Sequence, residues 1–258
     1  MSRIALWLST VFWLVMMFLL FRADVLPNYT AADNPGYDTV VSKIEAPVSR
    51  IMAVMQGDEE VGESTTIINP EPDGTYFISN VTELWVKMGM FQSKLSAVLN
   101  VTLDADKQLD KVFFDVNLGA KGSAQIKGKR MNDKLILEIE FAGETFREIL
   151  PYDNTIISSY FNPFPMGARL KVGQEWRTKF LDPLSGGTKV AIIKVVAKET
   201  IKIAVRKGEE PREFSTYKIV TEWNSMTLNA WATPDGVVLK EETPLGYTLV
   251  YRESDEND

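Results

Sequence analysis

Short apolar segments separated by turn residues fill most of the chain from Thr39 onward, and this pattern favours β-strands. In residues 135–141, Leu135, Leu137, Ile139 and Phe141 occupy every second position and form one apolar face. Turn sequences separate such segments: Pro-Asp-Gly at 71–74 and 233–236, and Asn-Asp at 132–133. The pattern predicts a mainly β protein with one large curved antiparallel sheet, either a half-barrel or a barrel.

The predicted strands cover residues 49–55, 62–68, 76–86, 95–103, 112–118, 123–129, 135–141, 190–197, 200–205, 214–222, 226–232 and 237–241. The segments 190–197 and 200–205 are predicted to pair as a hairpin. Residues 38–44 fit either a first strand or a short helix, and residues 154–161 fit a helix that ends at Asn162-Pro163. Strands do not alternate with long helices, so a parallel α/β fold is not expected.

The N-terminal segment 4–21 differs from the rest because it is apolar without a period. It holds 18 residues without a charge and is flanked by Arg3 and Arg22. As a helix it would be roughly 27 Å long, close to the hydrocarbon thickness of a bilayer. We interpret it as an uncleaved membrane anchor; a cleaved signal peptide and a buried core helix are the alternatives.

The chain is therefore divided into four parts. Residues 1–22 form the transmembrane anchor, 23–38 a linker rich in helix-breaking residues, 39–252 the β-rich domain, and 253–258 an acidic disordered tail. The flank after Arg22 carries Asp24 and Asp33 and has no further basic residue before Lys43. By the positive-inside rule the β-rich domain is expected outside the cytoplasm, at the cell membrane.

Composition excludes several classes of function. The net charge of −7 argues against nucleic acid as a partner, because phosphate binding needs a basic surface. The chain has no cysteine and no histidine. Thiol nucleophiles, Ser-His-Asp triads and the usual zinc ligands are thus excluded. We expect no cofactor, no metal and no catalytic residue.

A Pro-interrupted aromatic segment is the best candidate for a ligand-binding surface. Tyr160, Phe161, Phe164 and Met166 lie between and beside Pro163 and Pro165. Such side chains could form the mouth of an apolar pocket, with Trp85 and Trp231 as further lining residues. The alternative is that the segment plugs one end of the sheet and that the tryptophans pack in the core or at its rim.

Glu138 and Glu140 are two residues apart in a predicted strand and so share a face. A carboxylate pair could hydrolyse a glycosidic bond without histidine. The alternative is a polar, solvent-exposed face.

Three segments resemble bacterial envelope proteins of uncharacterised function. They are 52–62 (MAVMQGDEEVG), 170–176 (LKVGQEW) and 231–249 (WATPDGVVLKEETPLGYTL). The last segment is also similar to domains that precede transglutaminase-like domains. The resemblance implies an architecture similar to the lipoprotein-carrier half-barrel, a curved sheet around an apolar cavity. Two features depart from it: four residues separate Gly57 from Gly62 instead of three, and without cysteine the chain has neither a lipobox nor a transglutaminase centre.

These observations lead to three hypotheses of function. The first is a non-enzymatic, membrane-anchored binding module for an apolar or lipid-like ligand. The second is a structural or scaffolding subunit that docks an envelope protein partner. The third is a hydrolase that uses carboxylates such as Glu138 and Glu140.

Overall fold

The computed structural model describes residues 12–17, 32–33, 41, 44–88, 91–117, 119, 122–141, 143–152, 170–181, 188–223, 226–243 and 246–253. Fifteen strands lie within these ranges. They are β1 (Ala32–Asp33), β2 (Val48–Gln56), β3 (Glu59–Pro70), β4 (Tyr76–Met88), β5 (Phe91–Leu103), β6 (Leu109–Asn117), β7 (Ser123–Met131), β8 (Lys134–Phe141), β9 (Glu144–Pro151), β10 (Glu175–Leu181), β11 (Thr188–Ile203), β12 (Arg212–Trp223), β13 (Met226–Ala232), β14 (Val238–Glu242) and β15 (Thr248–Arg252).

All fifteen strands belong to one sheet, in the order β1-β10-β11-β12-β13-β14-β15-β2-β3-β4-β5-β6-β7-β8-β9. Every pair is antiparallel except β1 with β10, which is parallel. The prediction of a mainly β protein with one large antiparallel sheet is confirmed. The sheet is open, since β1 and β9 each have a single neighbour among the described strands; these strands do not close into a barrel.

The predicted turns lie between the strands that they were expected to join. Gly74, with φ of +85°, closes the turn between β3 and β4, where the Glu71 amide donates to the Thr75 carbonyl. Asn132 adopts a φ of +57° between β7 and β8, a conformation that asparagine tolerates better than most residues. Pro-Asp-Gly and Asn-Asp are thus sufficient to locate these hairpins.

The predicted hairpin of 190–197 with 200–205 is wrong, because both segments belong to the single strand β11. No glycine, proline or asparagine lies between them to make a turn. A β-bulge between Val195 and Ala197 shifts the inward and outward alternation of the side chains by one residue. Pairing with β12 continues on both sides of the bulge. Strands β1, β9, β10 and β15 were not predicted.

One face of the sheet carries most of the buried side chains, and we call it the buried face. A smaller cluster, Ile203, Val205 and Leu239, is separate from it. The apolar residues of the buried face form two clusters. The first cluster consists of Val41, Ile68, Ile78, Leu99, Val101, Leu103, Leu109, Val112, Ile126, Leu135 and Leu137. The second cluster consists of Met52, Val54, Val61, Leu84, Leu170, Trp176, Ile193, Val195, Ile219, Ala232, Val238 and Leu249. Each large side chain that is fully buried contributes about 2 kcal/mol.

The N-terminal residues 12–17 are helical, and all six side chains are exposed. Within the described ranges, no helix has the length and apolar character needed to cross a membrane. The rest of the predicted anchor 4–21 and the predicted helix 154–161 lie outside the described residues. Ala32 and Asp33, inside the predicted linker, form β1.

Candidate functional site

Four polar side chains interrupt the buried face between the two apolar clusters, and we call them the polar cluster. They are Ser64 and Thr66 on β3 and Asn80 and Thr82 on β4, all at most 5% exposed. The strand register places Ser64 opposite Thr82 and Thr66 opposite Asn80. Because successive inward positions are two residues apart, the four side chains form a compact square in an otherwise apolar surface.

Hydrogen bonds connect the polar cluster internally. The Asn80 amide donates to Ser64 Oγ at 3.0 Å and to Thr66 Oγ1 at 2.8 Å, and Thr82 Oγ1 donates to Asn80 Oδ1 at 3.2 Å. The Ser64 and Thr82 hydroxyl oxygens are 2.7 Å apart. Since Thr82 gives its proton to Asn80, Ser64 donates to Thr82. Thr66 Oγ1 accepts a hydrogen bond from Asn80. No described residue accepts a hydrogen bond from the Thr66 hydroxyl.

Arg50 extends the polar cluster onto β2. The register places it directly opposite Thr66, on the same face. Burial lowers the pKa of the Arg50 guanidinium from its ordinary value, and the nearby Tyr251 hydroxyl opposes this shift. Among the residues that the structure describes, no carboxylate forms an ion pair with Arg50. A partly desolvated cation therefore lies beside the polar cluster without an anionic partner.

Glu241 is a second ionisable residue on the buried face. Its strand neighbours in register are Ala230 and Leu249, which both pack in the second cluster. A little of the residue's surface stays accessible, but protein atoms crowd its carboxyl, and this burial raises the pKa of Glu241 to about 8. No described side chain hydrogen-bonds to the carboxyl, which is thus mostly protonated at neutral pH.

A β-bulge places Glu241 on this face. Ala232 pairs with Val238 and Trp231 with Lys240, so Leu239 is the extra residue. Without the bulge, simple alternation would put Val238 and Glu241 on opposite faces. Neither Arg50 nor Glu241 was predicted from the sequence as a site residue. Arg50 has the same alternation as the inward residues Met52 and Val54. A charged residue at such an inward position is the sequence signal that could have identified it.

Gly62 lets the β3 backbone approach β4 closely at the edge of the second cluster. A Cβ atom on Gly62 would lie 2.0 Å from the Glu83 carbonyl oxygen and 2.6 Å from Leu84 Cα. These are backbone atoms that cannot move aside cheaply, so the position requires glycine.

The two described residues of the predicted ligand-binding set lie on the opposite face of the sheet. Trp85 follows the inward Leu84 and is 48% exposed. Trp231 is 9% exposed and is enclosed by Lys218 and Lys240, whose ammonium groups lie 5.7 and 4.9 Å from its ring centroid. Its indole N–H donates to Glu199. Their role in ligand binding stays a prediction.

The other predicted residues divide into two groups. Tyr160, Phe161, Phe164 and Met166 lie outside the described residues. Glu138 and Glu140 share the exposed face of β8, where Glu138 is opposite Lys127 and Arg147 in register. The structure does not bring these two carboxylates together with Arg50 or Glu241, which occupy the other face.

Comparison with known proteins assigns no family. No protein-family model matches the chain, and no curated protein matches it significantly. Among solved structures, the chain is similar to a crystal structure described as a beta-barrel-like protein of domain of unknown function DUF1849 from Brucella abortus. The TM-score is 0.47 and the identity 11%, over 80% of this chain and 95% of the other. At these values the likeness assigns neither a family nor a function, and the resemblance to lipoprotein carriers stays a prediction.

Proposed function

We propose that this chain is a non-enzymatic binding module whose buried face takes an apolar or lipid-like ligand. The N-terminal apolar segment would hold it at the membrane with the β-rich domain outside the cytoplasm. One observation carries the proposal: a largely apolar face contains two ionisable side chains, Arg50 and Glu241, that no described residue pairs.

The physical reason is the cost of such groups. A buried polar group without a partner destabilises a fold by about 1–3 kcal/mol, so proteins usually supply a partner or remove the group. Ligand sites are the common exception, because they combine apolar walls with a few polar groups that wait for the ligand. The second cluster supplies the apolar walls, and Arg50 and Glu241 are the polar groups.

The test uses the full chain in lipid nanodiscs and a neutral fatty alcohol that carries a photoactivatable group in its tail. We expect saturable labelling of buried-face residues on β13, β14, β15 and β2, competed by unlabelled alcohol. Ala230→Phe fills the face beside Glu241 and should weaken labelling about tenfold, the loss expected when about 1.4 kcal/mol of binding is removed.

The matched control is Thr227→Phe, which adds the same ring to the exposed face of the same strand. It should leave labelling unchanged. Labelling that is unsaturable, or that both substitutions reduce equally, would contradict the proposal.

A second candidate, docking of a protein partner, is favoured by the open edge at β9. Phe141 and Phe146 are 53% and 51% exposed, and by register they project from the same side of β8 and β9 as the buried face. Exposed apolar side chains beside an edge strand suit a partner that adds to the sheet. Crosslinking in membranes should then recover a discrete protein that Phe146→Glu releases; recovery of the same protein by both chains would exclude this edge as the docking site.

A further inference from the structure

We infer that the ligand of the buried face is an anionic amphiphile, whose carboxylate or phosphate head pairs with Arg50 and Thr66 while its tail lies along the second cluster. This inference rests on the proposed function and names the class of ligand for that site.

The geometry brings two unused donors to one place. Arg50 and Thr66 are directly opposite each other on β2 and β3. Asn80 donates to Thr66 Oγ1, which leaves the Thr66 hydroxyl proton free to bond outward. The guanidinium of Arg50 offers several N–H donors in a planar fork that matches a carboxylate or a phosphate. Both residues therefore present donors, and neither presents a negative charge.

The polar cluster fixes this arrangement. Asn80 donates to both Ser64 and Thr66. Since Asn80 lies on the side of Thr66 opposite Arg50, its hydrogen bond fixes the orientation of the Thr66 hydroxyl. Because these side chains are buried and bonded to one another, they do not need to reorganise when a head group binds. A preorganised set of donors costs little entropy on binding.

The neighbouring residues suit a tail. Met52 and Val54 are the next inward positions of β2 after Arg50, and both belong to the second cluster. Leu249 is opposite Val54 and continues the apolar surface toward Glu241. Since Glu241 is mostly protonated at neutral pH, it does not repel an anionic ligand.

A neutral ligand would leave the Arg50 charge uncompensated in a partly desolvated position, which is unfavourable. A cationic ligand would be repelled. Charge complementarity thus selects an acid over an alcohol with the same tail.

The experiment compares two photoactivatable probes of equal tail length, a fatty acid and a fatty alcohol, with the full chain in nanodiscs at pH 7. The wild-type chain should reach half-saturation at a concentration about tenfold or more lower for the acid. Arg50→Met should abolish this preference, because the half-saturation concentration for the acid should rise to that for the alcohol. Lys129→Met, which removes an exposed positive charge from the other face, is the control for net charge and should keep the preference.

The outcomes separate this inference from the proposed function. Saturable labelling by both probes with equal half-saturation in the wild-type chain, or a preference that survives in Arg50→Met, would overturn the anionic head and leave the binding module standing. Labelling that neither probe saturates would overturn both.

Discussion

Two arginines on the same sheet have opposite environments, and the difference separates a structural region from a candidate binding region. Arg130, near the first cluster, donates to Asp104 and to Gln108 Oε1 and lies 5.1 Å from the Tyr152 ring centroid. Arg50, beside the second cluster, has no carboxylate partner among the described residues. Where the protein needs only stability, its charges are paired; the unpaired charge marks the surface that we propose binds a ligand.

The largest expected effect comes from the first cluster. Leu137→Ala removes a fully buried side chain and should lower the free energy of unfolding by about 3 kcal/mol, as core truncations of this size do. Chemical denaturation measures it. Ile136→Ala, on the other face of β8, should cost about 1 kcal/mol. Labelling by the fatty alcohol should survive both; loss of labelling in Leu137→Ala with the fold retained would contradict the separation of the two regions.

Glu241→Gln should raise the stability at alkaline pH. The folded-state pKa of about 8 lies above the ordinary value of 4.5, so the folded chain binds more protons than the unfolded chain between these values. Stability therefore falls as pH rises through this window, and the deficit is fully present above pH 8. At pH 7 the glutamine variant should be more stable than the wild type by about 3 kcal/mol, and at pH 4.5 the two chains should differ little.

The control for this prediction is Glu138→Gln, the same substitution on the exposed face of β8, which should change the free energy of unfolding by no more than about 0.5 kcal/mol. Thermal unfolding at pH 4.5, 6, 7 and 8 gives the curves. If wild type and Glu241→Gln show parallel pH profiles, Glu241 is charged in the folded chain and its proposed place in the apolar face is wrong.

Replacing each arginine by methionine tests whether the two side chains differ in their contribution to stability. Arg130→Met leaves Asp104 without its ion-pair partner and should destabilise by about 1–2 kcal/mol, since the pair is largely shielded from solvent. Arg50→Met removes a cation that no carboxylate compensates and should be neutral, or stabilise by up to about 1 kcal/mol. Denaturation midpoints of the two variants measure this difference. Equal destabilisation by both substitutions would show that Arg50 is a structural residue.

The smallest effect is expected in the polar cluster. Thr82→Val keeps the shape of the side chain but removes the hydrogen bonds to Asn80 Oδ1 and Ser64 Oγ. It should cost about 1 kcal/mol, and Thr82→Ser should cost less because it keeps the hydroxyl. The same denaturation experiment distinguishes the two, and a serine variant less stable than the valine variant would contradict the assigned bonds.

Much of the fold follows from local sequence signals. The turns at 71–74, 132–133 and 233–236 have residues that tolerate or require unusual backbone angles, so hairpins can be located from sequence alone. Strand β11 was divided wrongly because its bulge at Val196 changes the alternation as a turn would. Strand β9 was missed because its edge position leaves both faces partly exposed, and no single apolar face marks it.

The candidate site was harder to predict than the fold. Glu241 reaches the buried face only because Leu239 is an extra residue, and a one-residue shift exchanges the faces of every following side chain. Arg50 is a candidate site residue because it lies beside Thr66 and Asn80. These residues are on other strands, and only the strand register brings them next to Arg50. Such pairing between distant parts of the chain cannot be predicted from any short segment of sequence.

Native mass spectrometry of the gently extracted full chain tests the central claim most directly. We expect that the wild-type protein carries a stoichiometric lipid-like adduct and that Ala230→Phe loses it while Thr227→Phe retains it. A folded wild-type protein that is free of any adduct, and that acquires none from added fatty acid or fatty alcohol, would contradict the claim that the buried face is a binding site.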